Sequence, residues 1–302
     1  MSRSNKPALI GAGPLAGLCA FVTWGIAGAY FHAVGFADAM EILSHRVLWS
    51  ALLTLILIFA LGRKKALLDL LRSARTMGLL FITSLLIAGN WLIYIWSVNH
   101  GHALEASLGY YIMPLIMLIL GRIFLNEQLN RTQIISVVIV TAGVLNLLVF
   151  FGTLPWIALS LAFLFGFYGL LRKLIPADPI AGLFVECLTL LPLALIYLGW
   201  LDSKGEMAFL HTGTGHDALL IGLGAMTTFP LVMFAFAARN MKFGALGLMQ
   251  YVNPTMQLFV AVLLFGEPFT QAHLITYIFV WCGLALFTWD NLRTARLSRA
   301  NS

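Results

Sequence analysis

Charge is what this chain has least of. Asp, Glu, Lys and Arg make up 10% of its 302 residues against 61% hydrophobic ones, and its mean hydropathy is +0.93. A water-soluble chain of this length cannot hide that much apolar surface, so lipid is its solvent and a soluble enzyme or binding domain is excluded. Cysteine is scarce too. Cys19, Cys187 and Cys282 all fall inside apolar runs, which offers neither an extracellular disulfide framework nor a closely spaced metal motif. They read as small core residues. The P-loop pattern is missing, so no nucleotide is expected. No HExxH and no aspartate pair at metal-binding spacing occurs either, and neither metal nor cofactor is expected.

What is there is a succession of apolar runs, each long enough to cross a bilayer at roughly 20 residues. Ten are read, at about 8–31, 38–61, 76–98, 103–121, 132–151, 154–171, 180–201, 217–238, 244–265 and 271–290. The longest connection, 202–216, is polar and reads as a loop, leaving no room for a soluble domain. The first run follows Arg3 and Lys6 as in a signal peptide, and the small residues from Ala27 to Ala29 imitate a cleavage site. Cleavage would destroy the ten-span count, so an uncleaved first helix is expected.

The net charge of +6 is distributed in a way that argues against nucleic acid. When spans are counted from a cytoplasmic N-terminus, every Lys and Arg except Lys204 and Arg46 falls on the cytoplasmic side. Lys204 lies opposite and Arg46 lies within a span. That positive-inside bias places both termini in the cytoplasm and sets the basic loops beside anionic lipid.

The chain also repeats itself. Leu104–Leu148 can be laid over Gly244–Thr288 at a constant offset of 140 residues, placing Tyr111 on Tyr251, Pro114 on Pro254, Glu127 on Glu267 and Gly143 on Gly283. Weaker matches at an offset of 141 set Trp24 and Gly25 against Phe165 and Gly166, and His45 against Glu186. Two copies of five spans, residues 8–151 and 154–290, followed by a cytoplasmic tail at 291–302, must lie inverted in the membrane because five is odd. The expected fold class is an all-α polytopic membrane protein of ten transmembrane helices in two inverted five-helix repeats. Many secondary transporters are built this way, with substrate at the repeat interface.

Four sets of residues carry possible chemistry. Pro114 and Pro254 sit partway along the fourth span of each repeat and should kink it, as packing devices or as bent helices lining a cavity. Glu127 and Glu267 fall where that span turns into the next, where a carboxylate can accept from the free N–H groups of the following helix. Glu41, His45 and Arg46 in span two, with Glu186 in span seven, are the intramembrane charges. Glu41 and His45 share a helix face and Arg46 turns away from it. Either these groups pair to hold helices together or they form a polar switch that titrates or meets substrate, Glu186 being the carrier if protons are coupled. Aromatic and amide residues form the candidate cavity wall: Trp24, Asn90, Trp91, Tyr94, Tyr111, Tyr168, Gln250, Tyr251 and Asn253.

The runs Glu41 to Ser50 (EILSHRVLWS), Gly89 to Trp91 (GNW), Leu104 to Tyr110 (LEASLGY) and Phe167 to Lys173 (FYGLLRK), with Gln250-Tyr251, resemble the RarD family. This family lies in the EamA group of the drug/metabolite transporter superfamily and carries the label "chloramphenicol-sensitive protein". The resemblance covers about residues 14–290. It implies a bacterial inner-membrane transporter of ten helices in two inverted repeats around a central cavity, exporting small metabolites or drugs. One departure stands out: Met113 occupies the place before the first proline where the family is expected to carry Asn, while the second repeat keeps Asn253.

The expected function is therefore secondary transport of a small organic solute by alternating access, with spans one, three, four, six, eight and nine around the cavity. The expected partners are that solute and the lipid bilayer, without nucleic acid or nucleotide, in a monomer or homodimer. The rival from another class is a polytopic membrane enzyme acting on a lipid-soluble substrate, which needs clustered carboxylates or histidines at one membrane face. A channel, with rings of polar residues along one pore, is the third option.

Overall fold

A computed structural model of the chain describes residues 11–99, 103–151, 156–260, 263 and 271–300. The regular structure of the described residues is helical, twelve helices with no strand. They are α1 (Ala12–Ala33), α2 (Ala39–Ala60), α3 (Lys64–Leu71), α4 (Ala74–Asn99), α5 (Ala103–Phe124), α6 (Arg131–Phe151), α7 (Trp156–Leu174), α8 (Pro179–Ser203), α9 (Thr214–Asn240), α10 (Phe243–Met249), α11 (Val252–Phe259) and α12 (Gln271–Ala300). Among the described residues six helical stretches, in α1, α2, α4, α7, α8 and α9, are long and apolar enough to cross a membrane. Gly109–Phe124, Arg131–Asn146 and Leu274–Asp290 are shorter apolar stretches. The short helix α3, with Leu68 and Leu71 exposed and Leu70 buried, falls in a connection that the hydropathy reading left unstructured. The last helix also continues through Ala300 into the segment expected to be a tail. The expected Glu267 and the first ten residues lie outside the described residues.

Helix starts are written in the sequence. Asp38 accepts from the Met40 N–H at 2.8 Å ahead of α2. Asp178, 140 residues on, accepts from the N–H groups of Ile180 and Ala181 at 3.0 and 3.1 Å ahead of α8. Pro179 follows at a first-turn position that needs no N–H donor. Asn130 and Gln133 exchange side-chain to backbone hydrogen bonds at the start of α6, a capping box.

Helices that the 140-residue offset sets against each other in the sequence pack antiparallel. Between α6 and α12, Asn130 and Gln133 donate to Asp290 at 2.6 and 3.1 Å, while at the other end the Thr276 hydroxyl donates to the Gly143 carbonyl at 3.1 Å. Glycine permits that approach from both sides. A Cβ at Gly143 would meet Phe279 Cβ at 2.7 Å, and one at Gly283 would meet the Ser136 carbonyl at 2.9 Å. Likewise α10 runs against α5, where a Cβ at Gly247 would lie 2.9 Å from the Pro114 carbonyl. The Tyr251 hydroxyl donates to the Tyr111 carbonyl at 2.8 Å.

The two prolines are accommodated differently. Pro114 sits inside a continuous α5. The expected ninth span breaks instead at Gln250–Tyr251, one turn ahead of Pro254, which then falls in the first turn of α11. At the break Tyr251 N–H donates to Leu248 O and Asn253 N–H to Gln250 O, the i→i−3 pattern of a tightened turn. Proline in a first turn leaves no intrahelical bond broken.

Replacing Gly283 by Ala should destabilise the protein by about 1–3 kcal/mol, because its Cβ would meet Val140 Cγ2 at 2.5 Å and the Ser136 carbonyl at 2.9 Å, neither of them the far end of a flexible side chain. Gly199→Ala, with open space around it, should be near neutral. Thermal unfolding of both variants in one detergent checks the contrast, and equal melting temperatures would contradict the packing described.

Candidate functional site: an aromatic cavity holding one arginine

A cavity of about 350 Å³ lies within the bundle. Its wall residues come from the second halves of α1 and α4, the first halves of α2 and α5, Gln250 at the break and the length of α11, so it occupies the half of the bundle where α1 turns into α2. Phe165 of α7 and Leu231 of α9, near the middle of their helices, reach it from the second half of the chain. Toward the opposite end the space is filled by aromatic packing: Phe165 and Phe234 have ring centroids 5.1 Å apart, Trp24 lies 5.6 Å from Phe165, and Phe21 and Tyr168 complete the plug.

Six of the nine expected cavity residues line it: Trp24, Asn90, Trp91, Tyr94, Gln250 and Asn253. Tyr111, Tyr168 and Tyr251 do not, and each is occupied elsewhere. The Tyr111 hydroxyl donates to that of Tyr277 at 2.5 Å, Tyr251 reaches Tyr111 as above, and Tyr168 donates to Glu186 at 3.4 Å. Helix geometry explains the first: neighbouring residues point about 100° apart, so Tyr110 faces the cavity and Tyr111 faces α12. Phe31, Tyr110, Met113, Phe165 and Gln257 were missed as wall residues. Gln257 had a signal, standing one turn after Asn253, whose Oδ1 accepts from the Gln257 amide at 3.0 Å. Met113, the departure from the family pattern, lines the wall with its sulfur against the Gln250 amide at 2.5 Å.

The four intramembrane charges do not form one cluster. Glu41 faces the 204–213 connection and accepts from the backbone N–H groups of Ala208, at 2.9 and 3.1 Å, and Phe209 at 3.0 Å. His45 stands 3.7 Å from Glu41 and its Nδ1 accepts from the Trp49 indole at 3.1 Å. Glu186 lies elsewhere, 3.6 Å from Arg172 and accepting from the Thr83 hydroxyl at 2.5 Å. Only Arg46 enters the cavity wall. Its Nε donates to the Thr227 hydroxyl at 3.0 Å, and its guanidinium carbon lies 4.2 Å from the centre of the Trp91 ring and 5.3 Å from that of Phe31.

Glu127 also finds a partner other than the one expected. It accepts from the N–H groups of Phe243 and Gly244 at 2.6 and 2.9 Å, capping α10 of the other half instead of the helix that follows it. Lys173, 3.9 Å from Glu127, caps the end of α9 by donating to the carbonyls of Ala238 and Met241 at 3.0 and 2.5 Å. Arg239 donates to the Ala177 carbonyl nearby. These contacts lace α5, α7, α9 and α10 together at the end away from the cavity.

Because Glu186 is satisfied on all sides away from the cavity, Glu186→Gln should lower stability by about 3–5 kcal/mol, the loss expected when one partner of a buried pair is removed. It should leave the pH profile of solute uptake unchanged. Denaturation curves and uptake against pH check both parts, and a shifted pH profile would restore Glu186 as a proton carrier.

Residues 11–149 match the sequence profile of the EamA-like transporter family. The chain is 44% identical over 288 residues to an uncharacterized transporter of Vibrio cholerae serotype O1, covering 95% of each. It is 42% identical over 287 residues to Protein RarD of Salmonella typhi, covering 94% of this chain and 97% of that one. A solved crystal structure with 16% sequence identity superposes at a TM-score of 0.72 over 92% of this chain and 96% of that chain, a likeness of fold alone. Helices able to span a membrane, an internal cavity and full-length relatives at this identity lead to one assignment: the chain is a multi-pass membrane protein belonging to the RarD family of EamA-like transporters.

Proposed function

We propose that this protein is a secondary transporter moving a small organic solute across the bacterial inner membrane by alternating access. It would have ten spans in two inverted halves, 8–151 and 154–290, with both termini cytoplasmic. The observation that carries the reading is the cavity itself. Its walls come from α1, α2, α4 and α5 of the first half and from α7, α9, Gln250 at the break and α11 of the second, which is where a transporter built of inverted repeats holds its substrate.

Repeat-related contacts support the inversion. Gly25 of α1 packs under Met256 and the Asn253 carbonyl of α11, and the equivalent Gly166 of α7 packs under Ile116 of α5, at the positions the offsets of 141 and 140 assign. The same surface is thus used twice with the halves exchanged. Two such halves can trade conformations, and the trade moves the closed end of the cavity from one side to the other. With both termini cytoplasmic, the cavity lies in the outer half and the aromatic plug closes the cytoplasmic side. The charged contacts of Glu127, Lys173 and Arg239 reinforce that closure, and they are of a kind that can be broken and remade at water's edge. Export of metabolites or of drugs such as chloramphenicol is the direction the family resemblance favours.

Reconstituted into vesicles, the protein should carry small organic solutes with saturable, competable kinetics. Trp91→Ala, which removes a wall of the cavity, should lower the flux at least tenfold while leaving the bundle folded. Counterflow measured across a panel of amino acids, aromatic acids and chloramphenicol checks this. Flux that rises linearly with concentration, or that is indifferent to Trp91, would contradict transport through this cavity.

A further inference from the structure

The transporter reading leaves the chemistry of the solute open, and one residue narrows it. Burying a charge in a membrane protein requires compensation, and this chain supplies it elsewhere. Arg172 has Glu186 at 3.6 Å, Lys173 has Glu127 at 3.9 Å, and Glu41 has the N–H groups of Ala208 and Phe209. Arg46 is almost fully buried and has no carboxylate within 4.0 Å among the described residues. Of the five donors a guanidinium carries, one is used by Thr227. The Nη groups meet no protein acceptor among the described residues, and the side chain lines the cavity. Trp91 lies against the guanidinium at 4.2 Å and Phe31 at 5.3 Å. These aromatic faces offset part of the burial and fix the group, but they cannot accept its in-plane hydrogen bonds.

The rest of the wall is consistent with that need. Among the described lining residues there is no carboxylate, so the cavity carries one positive charge and nothing to balance it. The wall also carries the apolar groups of Trp24, Met113, Phe165 and Leu231, with neutral polar groups in the hydroxyls of Tyr94 and Tyr110 and the amides of Gln250, Asn253 and Gln257. We propose that the solute is a small organic monoanion, a carboxylate attached to an apolar or single-ring aromatic body, and that Arg46 is the residue that binds the carboxylate through its free fork. This rests on the transporter reading and specifies its substrate class. The charge count selects a carboxylate over a phosphate monoester: one guanidinium neutralises one charge, and a dianion would bring a second into a cavity with no other cation. It also selects against organic cations, which would meet Arg46 with no acid to hold them. An α-amino acid fits only as a zwitterion whose ammonium is held by neutral groups.

The test uses the full-length purified protein and four matched probes: 3-phenylpropionate, its neutral amide, 3-phenylpropylammonium and phenyl phosphate. Binding is read as a concentration-dependent rise in melting temperature. The carboxylate should bind about 10- to 100-fold more tightly than the amide, the gain expected from a charged bidentate hydrogen bond. The ammonium should not bind, and phenyl phosphate should bind more weakly than the carboxylate. Arg46→Gln should bring the carboxylate down to the level of the amide without changing the amide itself, and Arg46→Lys should recover part of the difference. If Arg46→Gln does not fold, the ranking in the native protein and the Lys variant decide. Equal binding of carboxylate and amide, preference for the cation or the phosphate, no binding of any probe, or an Arg46→Gln variant that keeps the preference would each overturn the assignment. Vesicle flux separates this from the transporter reading. A carboxylate that binds through Arg46 but never crosses the membrane refutes transport and leaves the anion site standing. Saturable flux of solutes that ignore Arg46 does the reverse.

Discussion

Charge inside this bundle has to be answered by the protein, because the lipid around it answers none. That constraint accounts for most of the polar architecture. Glu41 draws the 204–213 connection down onto α2 by taking its backbone N–H groups. Glu186 ties α8 to α4 through Thr83 and to α7 through Arg172, and Glu127 ties α5 to the start of α10. Each carboxylate thereby becomes a clamp between helices distant in sequence. Arg46 alone among the interior charges described faces an open space, so the one place where the rule is left incomplete is the cavity.

The same economy shapes the backbone. Where helices must approach closely, glycines at Gly25, Gly143, Gly166, Gly247 and Gly283 remove the side chain that would hold them apart. Close approach here replaces the hydrophobic drive that lipid cannot supply between helices. Where a helix must stop inside the bundle, the break at Gln250–Tyr251 is closed by i→i−3 hydrogen bonds and sits beside the cavity wall. Irregular backbone at this depth is tolerated where protein or a cavity surrounds it. The break thus stands in the wall of the same cavity that Arg46 lines.

Much of this was legible in the sequence, for identifiable reasons. Composition and run length depend on single residues and read directly as membrane-spanning helices, and Asp38 and Asp178 announce their helix starts by local chemistry. The aromatic wall was legible where a polar neighbour supported it, as with Asn90 beside Trp91. What could not be read was which helix a side chain meets. Glu127 was expected to accept from the free N–H groups of the helix that follows it, whereas the groups it meets belong to α10, more than a hundred residues away. The charges of span two and span seven were grouped because the 141-residue offset sets His45 against Glu186. In space they diverge, since adjacent residues such as His45 and Arg46 point to different neighbours. Tyr110 and Tyr111 were confused for the same reason. A one-residue rotation separates cavity from core, and only the packing of α5 against α7 and α12 decides it.

If the two halves alternate around this cavity, its wall must open to each side of the membrane in turn, and solvent access measures that. A cysteine at Gly28, a wall position where a Cβ meets nothing closer than 4.0 Å, can be placed in a chain whose Cys19, Cys187 and Cys282 are replaced by Ser. Its reaction with a membrane-impermeant maleimide is then followed in right-side-out and inside-out vesicles. Alternation predicts modification from both faces of the membrane, with the balance between them shifted by bound solute. Modification from one face alone, whatever the solute, would show a fixed pocket and contradict the account.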